Sequence, residues 1–359
     1  MSAAGLYIHV PFCSGKCLYC DFYSETRPSG VQGWLDGLAR EIEARPWPGP
    51  AFDTLYLGGG TPSRLTPDQL GQVLEHAHKP TPTGWAEATV EINPEDADPA
   101  WIDAALSLGF NRFSIGVQSF DPAVLRWLGR RHSSDQVRRA VRLVAQTGAS
   151  FGLDLIWGPP GQTPAQWLDQ LRQAVDLGPD HLSCYQLTVE PDTPLGRRAR
   201  TQDLGLPDES RSRELFSQGS GFLIGQGYEH YEVSNFARPG RRSLHNQKYW
   251  TGAPYLGLGP AAHSFLGRRR WWNPSDIGAW RENLDAKPEG EILTGEQRRL
   301  ERIYLGLRTA DGFPAELAAD RTGRLEALAA DGLINLGHGR VRPTTAGLAL
   351  ADRLAAELG

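Results

Sequence analysis

The stretch "CSGKCLYC" holds three of the chain's four cysteines, Cys13, Cys17 and Cys20, in the order C-x3-C-x2-C. Thiols clustered this way in a chain otherwise poor in cysteine point to metal chemistry rather than a disulfide framework. Three thiolates leave a tetrahedral structural zinc one ligand short, and His9 is the nearest residue able to complete it. The other reading is a [4Fe–4S] cluster with one iron left open to bind and activate a small molecule, as the open position of a catalytic metal does. Gly15 and Lys16 let the loop turn tightly around such a group.

Several elements must carry that loop. Candidate strands at residues 6–10, 54–57, 89–92, 112–117, 151–156 and 181–187 alternate with helical patterns. One helix runs over 31–44, one opens at Pro67 and one follows Asp98-Pro99. Two lie within 121–146, the second with Val137, Val141 and Val144 on one face and Gly148 as its stop. Thr163-Pro164 opens another, and a long one spans about 208–227. Alternating strands and helices predict parallel strands with right-handed crossovers, here an α/β partial TIM barrel of (β/α)6 type. A doubly wound sheet gives the same local signal, but no G-x-G-x-x-G opens a helix after the first strand.

The alternation stops near residue 231, and the stretch to 276 is rich in Gly, Pro, Arg and aromatic residues. A helical pattern returns from Glu296, followed by the hairpin pattern "LINLGHGRVRPT" and a last helix, which predicts a small, mainly helical, winged-helix-like domain. The expected organisation is a barrel over 1–230, an insert or linker over 231–290 and the C-terminal domain over 291–359.

Polar motifs recur where the strands end. "LYLGGGTPS" (55–63) follows the second strand, and its glycines let backbone approach a ligand closely, as they would also suit a plain turn. "EINPE" places Glu91 and Asn93 at the end of the third, "GVQSF" places Gln118 at the end of the fourth, and "LDLIWGPPGQ" places Asp154 near the end of the fifth. Any one of these is most often a hydrogen-bonded core group. Their recurrence at successive strand ends marks the face where barrels bind ligands.

Composition narrows the classes. The 359 residues are 40% hydrophobic, which suits one large α/β domain plus a smaller one, with no apolar run of membrane-spanning length. The N-terminus has no basic stretch followed by a long apolar run, so a cytoplasmic protein is expected. A net charge of −5 and a pI of about 6.0 argue against a general nucleic-acid binder.

C-x3-C-x2-C just after a first strand resembles the radical SAM superfamily signature, in which the open iron chelates S-adenosylmethionine (SAM). With the strand-end motifs, the chain from about Leu6 onward resembles the oxygen-independent coproporphyrinogen III oxidase-like radical SAM proteins. The resemblance implies a [4Fe–4S] cluster on Cys13, Cys17 and Cys20 and a SAM site beside it. By the same resemblance Tyr7 lies near SAM, and Gly59, Gly60 and Thr61 hold its methionine part. Glu91, Gln118, Arg130 and Asp154 match positions that contact the cosubstrates, with Arg126 and Arg131 as close neighbours of Arg130.

Members that oxidise coproporphyrinogen carry a further cysteine two residues after the third, where this chain has Asp21-Phe22, and a long extension before the loop, where only twelve residues precede Cys13. Both departures weigh against oxidase activity, which stays as the alternative reading. "SLHNQKYW" contains His245-Asn246-x-x-Tyr249-Trp250, and this HNxxYW pattern, with "YEVSNFARPG" and "YLGLGPAAHSF" around it, resembles the haem chaperone branch. That branch implies haem and a haem-requiring apoprotein as partners, with room for transient contact with a membrane or haem donor.

The residues are compatible with haem. Imidazole ligates haem iron, Tyr249 and Trp250 offer flat apolar surface, and Arg238, Arg241, Arg242 and Arg268–Arg270 could pair with propionates. His230, His263, His9 and Cys184 compete with His245 as ligands, and a lone histidine is more often a hydrogen-bonded structural residue. Three readings stand: a haem chaperone with a radical SAM cluster, a radical SAM enzyme (porphyrinogen decarboxylase or methyltransferase), and a zinc-stabilised barrel.

Overall fold

A period of two in apolar residues sets the first strands. In the computed structural model, which describes residues 2–26, 30–77 and 84–359, β1 (Ala4–Val10) buries Leu6, Ile8 and Val10. β2 (Phe52–Gly59) buries Leu55 and Leu57, and β3 (Glu87–Ile92) buries Val90 and Ile92. β4 (Arg112–Gln118) buries Phe113, Ile115 and Val117, and β5 (Ser150–Trp157) buries Leu153 and Leu155. Successive side chains point to opposite faces, so Tyr7, Tyr56, Glu91, Ser114 and Asp154 are left on the other face.

These five strands are parallel and lie side by side in sequence order. α1 (Val31–Ala44), α2 (Pro67–Ala77), α3 (Pro99–Ser107), α4 (Pro122–Leu128) and α5 (Ser134–Ala145) form the crossovers. The helix starts are those that the sequence announces. Asp98 caps α3 by accepting from the Ala100 and Trp101 amides, and Ser133 forms a capping box with Gln136. The chain continues through α6 (Pro164–Asp176), β6 (His181–Gln186), α7 (Pro194–Ala199), α8 (Glu209–Gly225), β7 (Glu229–Glu232), β8 (Asn235–Ala237) and α9 (Leu244–Thr251).

Two units divide the chain. Met1–Leu155, Thr188–Leu204 and Ala253–Ile292 form the first, and Ile156–Leu187, Gly205–Gly252 and Leu293–Gly359 the second. In the first, β9 (Tyr255–Leu258) lies parallel beside β1 and extends the sheet through the antiparallel β10 (His263–Leu266), β11 (Arg269–Trp272) and β12 (Glu289–Ile292). α10 (Ile277–Glu282) packs on α1 through Trp280, which is buried. These elements lie in the stretch where no periodic pattern was legible, because four-residue strands are too short to show one.

In the second unit β8 pairs antiparallel with β6 and with β7. Its C-terminal part contains α11 (Gly295–Leu307), β13 (Phe313–Pro314), α12 (Thr322–Ala330), β14 (Ile334–Gly337), β15 (Arg340–Pro343), α13 (Thr345–Leu348) and α14 (Ala351–Leu358). β14 and β15 form the hairpin read from the sequence, with His338 and Gly339 both at positive φ (51° and 69°) in its two-residue turn. Leu307, Phe313, Leu328, Ile334, Val341 and Leu354 form its core. Among the described residues, no helix is long and apolar enough to cross a membrane.

The exits of β1 and β2 are pressed together. A Cβ at Gly59, where φ is +107°, would collide with the His9 imidazole, and one at Gly60 would fall 2.7–2.9 Å from the Val10 carbonyl oxygen and the Phe12 backbone. Backbone obstacles cannot rotate away, so Gly60→Ala should destabilise the protein by about 1–3 kcal/mol, the usual range for overpacking. Urea denaturation checks this, and an unchanged midpoint would show that the two exits separate freely.

Candidate functional site

The cysteine loop leaves β1 and is held by its own backbone. The Cys13 amide donates to the Glu25 carbonyl at 2.9 Å, the Glu25 amide to the Pro11 carbonyl at 2.6 Å and the Leu18 amide to the Leu128 carbonyl at 3.1 Å. Cys13, Cys17 and Cys20 are free thiols, each half-buried, and burial pushes the Cys20 thiol up. With Gly60, Thr61 and Arg130 they line a small cavity of about 60 Å³ that opens to solvent.

This donor set fits a cluster better than a single ion. Among the described residues, no group of three His, Cys, Asp or Glu side chains is gathered where one ion would sit. A tetrahedral zinc needs its ligands to meet at one point, whereas a cubane cluster takes each thiolate on a different iron. The proposed fourth zinc ligand is also occupied. The His9 Nε2 donates to the Tyr23 carbonyl at 2.9 Å, which leaves Nδ1 to accept from the Tyr7 hydroxyl at 3.1 Å.

A hydrogen-bonded path joins two of the sulfurs. The Asn93 amide nitrogen donates to Thr61 Oγ1 at 3.1 Å, which frees the threonine hydrogen to point at Cys13 Sγ, 3.4 Å away. Arg130 Nη2 donates to Asn93 Oδ1 at 2.7 Å and to the Gly116 carbonyl at 2.9 Å, and its Nη1 donates to Cys17 Sγ at 3.5 Å. Burial works against the Arg130 charge, but Tyr19, Cys17 and Glu95 outweigh it and hold the guanidinium protonated. Of the three neighbouring arginines considered from sequence, Arg130 carries this path, while Arg131 only lines the cavity.

Glu91 anchors a second network. It accepts from the Tyr56 hydroxyl at 2.9 Å and from the Gly59 amide at 3.2 Å. Tyr56 packs tilted against Tyr7, with ring centroids 6.1 Å apart. Asp154 accepts from the Ser114 hydroxyl at 2.9 Å. Burial first and the Asp154 charge second raise the Glu91 carboxyl to about 7. Gln118 follows a register shift in β4 and has φ of 62°, a strained left-handed conformation for a side-chain-bearing residue.

Thus Thr61 and Arg130 meet the cysteines, Tyr7, Gly59 and Glu91 share one network, Asp154 reaches it through its charge, and Gln118 stands at the end of β4. Sequence reading missed Tyr56, Ser114, Tyr19 and Glu95, and noticed Asn93 without a role for it. Tyr56 and Ser114 had a usable signal, since each is the inward alternate of an apolar pair.

The HNxxYW stretch forms α9, capped by Ser243, whose hydroxyl accepts from the Asn246 amide at 3.3 Å. His245 is 0% exposed, and its Nε2 sits 2.8 Å from the Tyr249 hydroxyl. Burial, then the Lys248 charge, lowers its pKa to about 3, so the ring is neutral. An iron approaching Nε2 must displace Tyr249. Tyr249 and Trp250 are half-buried, Trp250 with its ring edge-on to Tyr231.

The nearby cations are largely committed. Arg242 pairs with Glu229 at 3.0 Å and Asp311 at 3.1 Å, Arg241 lies 3.6 Å from Asp180, and Arg238 covers the Tyr228 ring. Of the competing ligands, His230 is stacked on Phe236 and Cys184 is buried, whereas His263 is exposed.

Residues 7–174 match the family model for the Radical SAM superfamily, the class that this fold and cysteine loop define. A Mycobacterium tuberculosis protein named Heme chaperone HemW is 36% identical over 97% of this chain and 93% of its own length. A protein of the same name from Escherichia coli is 39% identical over 72% of this chain and 69% of its own. The chain belongs to the radical SAM superfamily and, within it, to the family of haem chaperones called HemW. Among solved structures, the coproporphyrinogen III oxidase HemN of Escherichia coli superimposes with a TM-score of 0.83 over 99% of this chain and 89% of its own, at 24% identity, which shows a shared fold.

The raised Glu91 carboxyl has a measurable consequence. The folded protein keeps this proton to about pH 7, while an unfolded glutamate releases it near 4.5. Stability from that proton is full below the lower value and is lost as pH rises through the upper one. In protein without SAM, Glu91→Gln should flatten this part of the stability profile, and Asp154→Asn should move the Glu91 midpoint down. A wild-type profile with no Glu91-dependent slope in this interval would contradict the coupling.

Proposed function

We propose that this protein binds haem and transfers it to apoproteins, with a [4Fe–4S] cluster on Cys13, Cys17 and Cys20 and SAM bound beside it. The observation that carries this reading is the nearly full-length likeness to proteins named haem chaperones, which includes the HNxxYW stretch. When bound, the cluster supplies an electron and an open iron for SAM. The chain's own residues do the holding. Thr61 and Arg130 direct hydrogen bonds at the Cys13 and Cys17 sulfurs, which fixes where those sulfurs point. Gly59 and Gly60 keep the turn free of side chains, with Thr61 beside it, for the methionine part of SAM. Tyr7, Glu91, Gln118 and Asp154 supply aromatic surface and hydrogen-bonding groups for the rest.

Haem is assigned to the His245, Tyr249 and Trp250 stretch, where binding requires the His245–Tyr249 hydrogen bond to open. The oxidase alternative loses support at Phe22, an exposed side chain where oxidising members have a cysteine. The reading places the protein in the cytoplasm, where free thiols stay reduced.

Anaerobic haem titration of cluster-loaded protein, followed by absorbance, tests this assignment with His245→Ala alongside. Saturable stoichiometric binding that the variant alters or loses is expected. Binding indifferent to the variant moves the ligand elsewhere, with exposed His263 next. No specific binding removes the chaperone reading.

A further inference from the structure

A second cavity lies within the first unit and shares no residue with the cluster loop or the His245 stretch. It encloses about 500 Å³, within the range of small-molecule sites, roughly 300–1000 Å³. Leu256, Leu258 and Leu266 give it apolar walls, and Trp47 and Trp271 give it an aromatic one. That aromatic wall is preformed. The Trp47 indole donates to the Pro50 carbonyl at 2.8 Å, stacks on Phe52 at 5.4 Å and leans on Trp271 at 6.3 Å.

Charge gives the cavity a sign. Its buried acid, Glu41, is saturated: it accepts from the Gly259 amide at 2.8 Å, Asn273 at 2.6 Å, Trp280 at 3.2 Å and Arg45 at 3.1 Å. Asp285 is paired with Arg40 at 3.3 Å. Two exposed cations at the lining, Arg269 and Lys287, have no carboxylate partner among the described residues, and Arg269 instead lies over the Trp271 ring at 5.0 Å. Their position contrasts with that of Arg242, held by two carboxylates. A flat, apolar ligand with more than one carboxylate complements this surface, its ring on the tryptophans and its acids on the two cations.

We propose that this cavity is a tetrapyrrole site, recognising the porphyrin ring and its propionates without an iron ligand. The haem-handling reading enters only in choosing a tetrapyrrole among flat apolar anions. Metal-free protoporphyrin IX is the probe, because it has the ring and the carboxylates but no iron for a histidine to hold.

It is titrated into full-length, cluster-loaded protein and followed by porphyrin fluorescence and tryptophan quenching. Saturable one-to-one binding is expected, weakened about tenfold by Trp271→Ala and again by Arg269→Glu with Lys287→Glu, and retained in Arg269→Lys. Unchanged circular dichroism and iron content show that the variants fold. No saturable binding, or binding indifferent to these substitutions, overturns the proposal. So does equal displacement by palmitate, which would make this a site for any long-chain carboxylate. Porphyrin binding without haem binding or transfer would remove the chaperone reading and leave this site standing, and specific haem binding without porphyrin binding would do the reverse.

Discussion

A guanidinium buried beside a thiol has to keep its charge satisfied, and much of the cluster site is arranged around that requirement at Arg130. Its two terminal nitrogens meet Asn93, the Gly116 carbonyl and the Cys17 sulfur, while its Nε is buried without a partner among the described residues, and Tyr19, Cys17 and Glu95 surround its charge. Removing one partner of such a group leaves the others desolvated and unpaired, which is costly. The cysteine loop, the end of β3 and the end of β4 therefore hold one another in place before any cofactor enters. The path through Asn93 and Thr61 carries that order on to Cys13.

The glycine run after β2 serves the same end. It lets the strand exit lie against His9 and the backbone of residues 10–12, so Thr61 comes within reach of the first cysteine. His9 is thereby a structural residue, fixed by Tyr7 and Tyr23, and it belongs to the packing of the loop rather than to its metal chemistry. Glu95 and His132 support the far side. The His132 Nε2 donates to the Val117 carbonyl and its Nδ1 meets the Glu95 carboxylate at 3.1 Å, which ties the helix start after β3 to β4.

The strands that present the site were legible because each alternates apolar and polar residues in a chain whose helices announce their starts with Asp, Ser or Thr and often proline. Cys13, Cys17, Cys20 and the strand-end residues could be named from spacing and motif. The path between the sulfurs could not, because Asn93 and Arg130 lie 37 positions apart and meet only when β3 and β4 pair. The short strands between residues 229 and 292 were invisible for lack of length. His245 shows the converse. Its motif could be read, but that its imidazole is enclosed and bonded to Tyr249 depends on how α9 packs, which no local pattern encodes.

The central claim is that Cys13, Cys17 and Cys20 hold a cluster with one iron left for SAM. Electron paramagnetic resonance of the reduced, anaerobically reconstituted protein, recorded with and without SAM beside metal and sulfide analysis, tests it most directly. The account predicts iron and acid-labile sulfide in equal amounts and a [4Fe–4S] signal that changes when SAM is added. Stoichiometric zinc without sulfide, or a cluster signal indifferent to SAM, would contradict it.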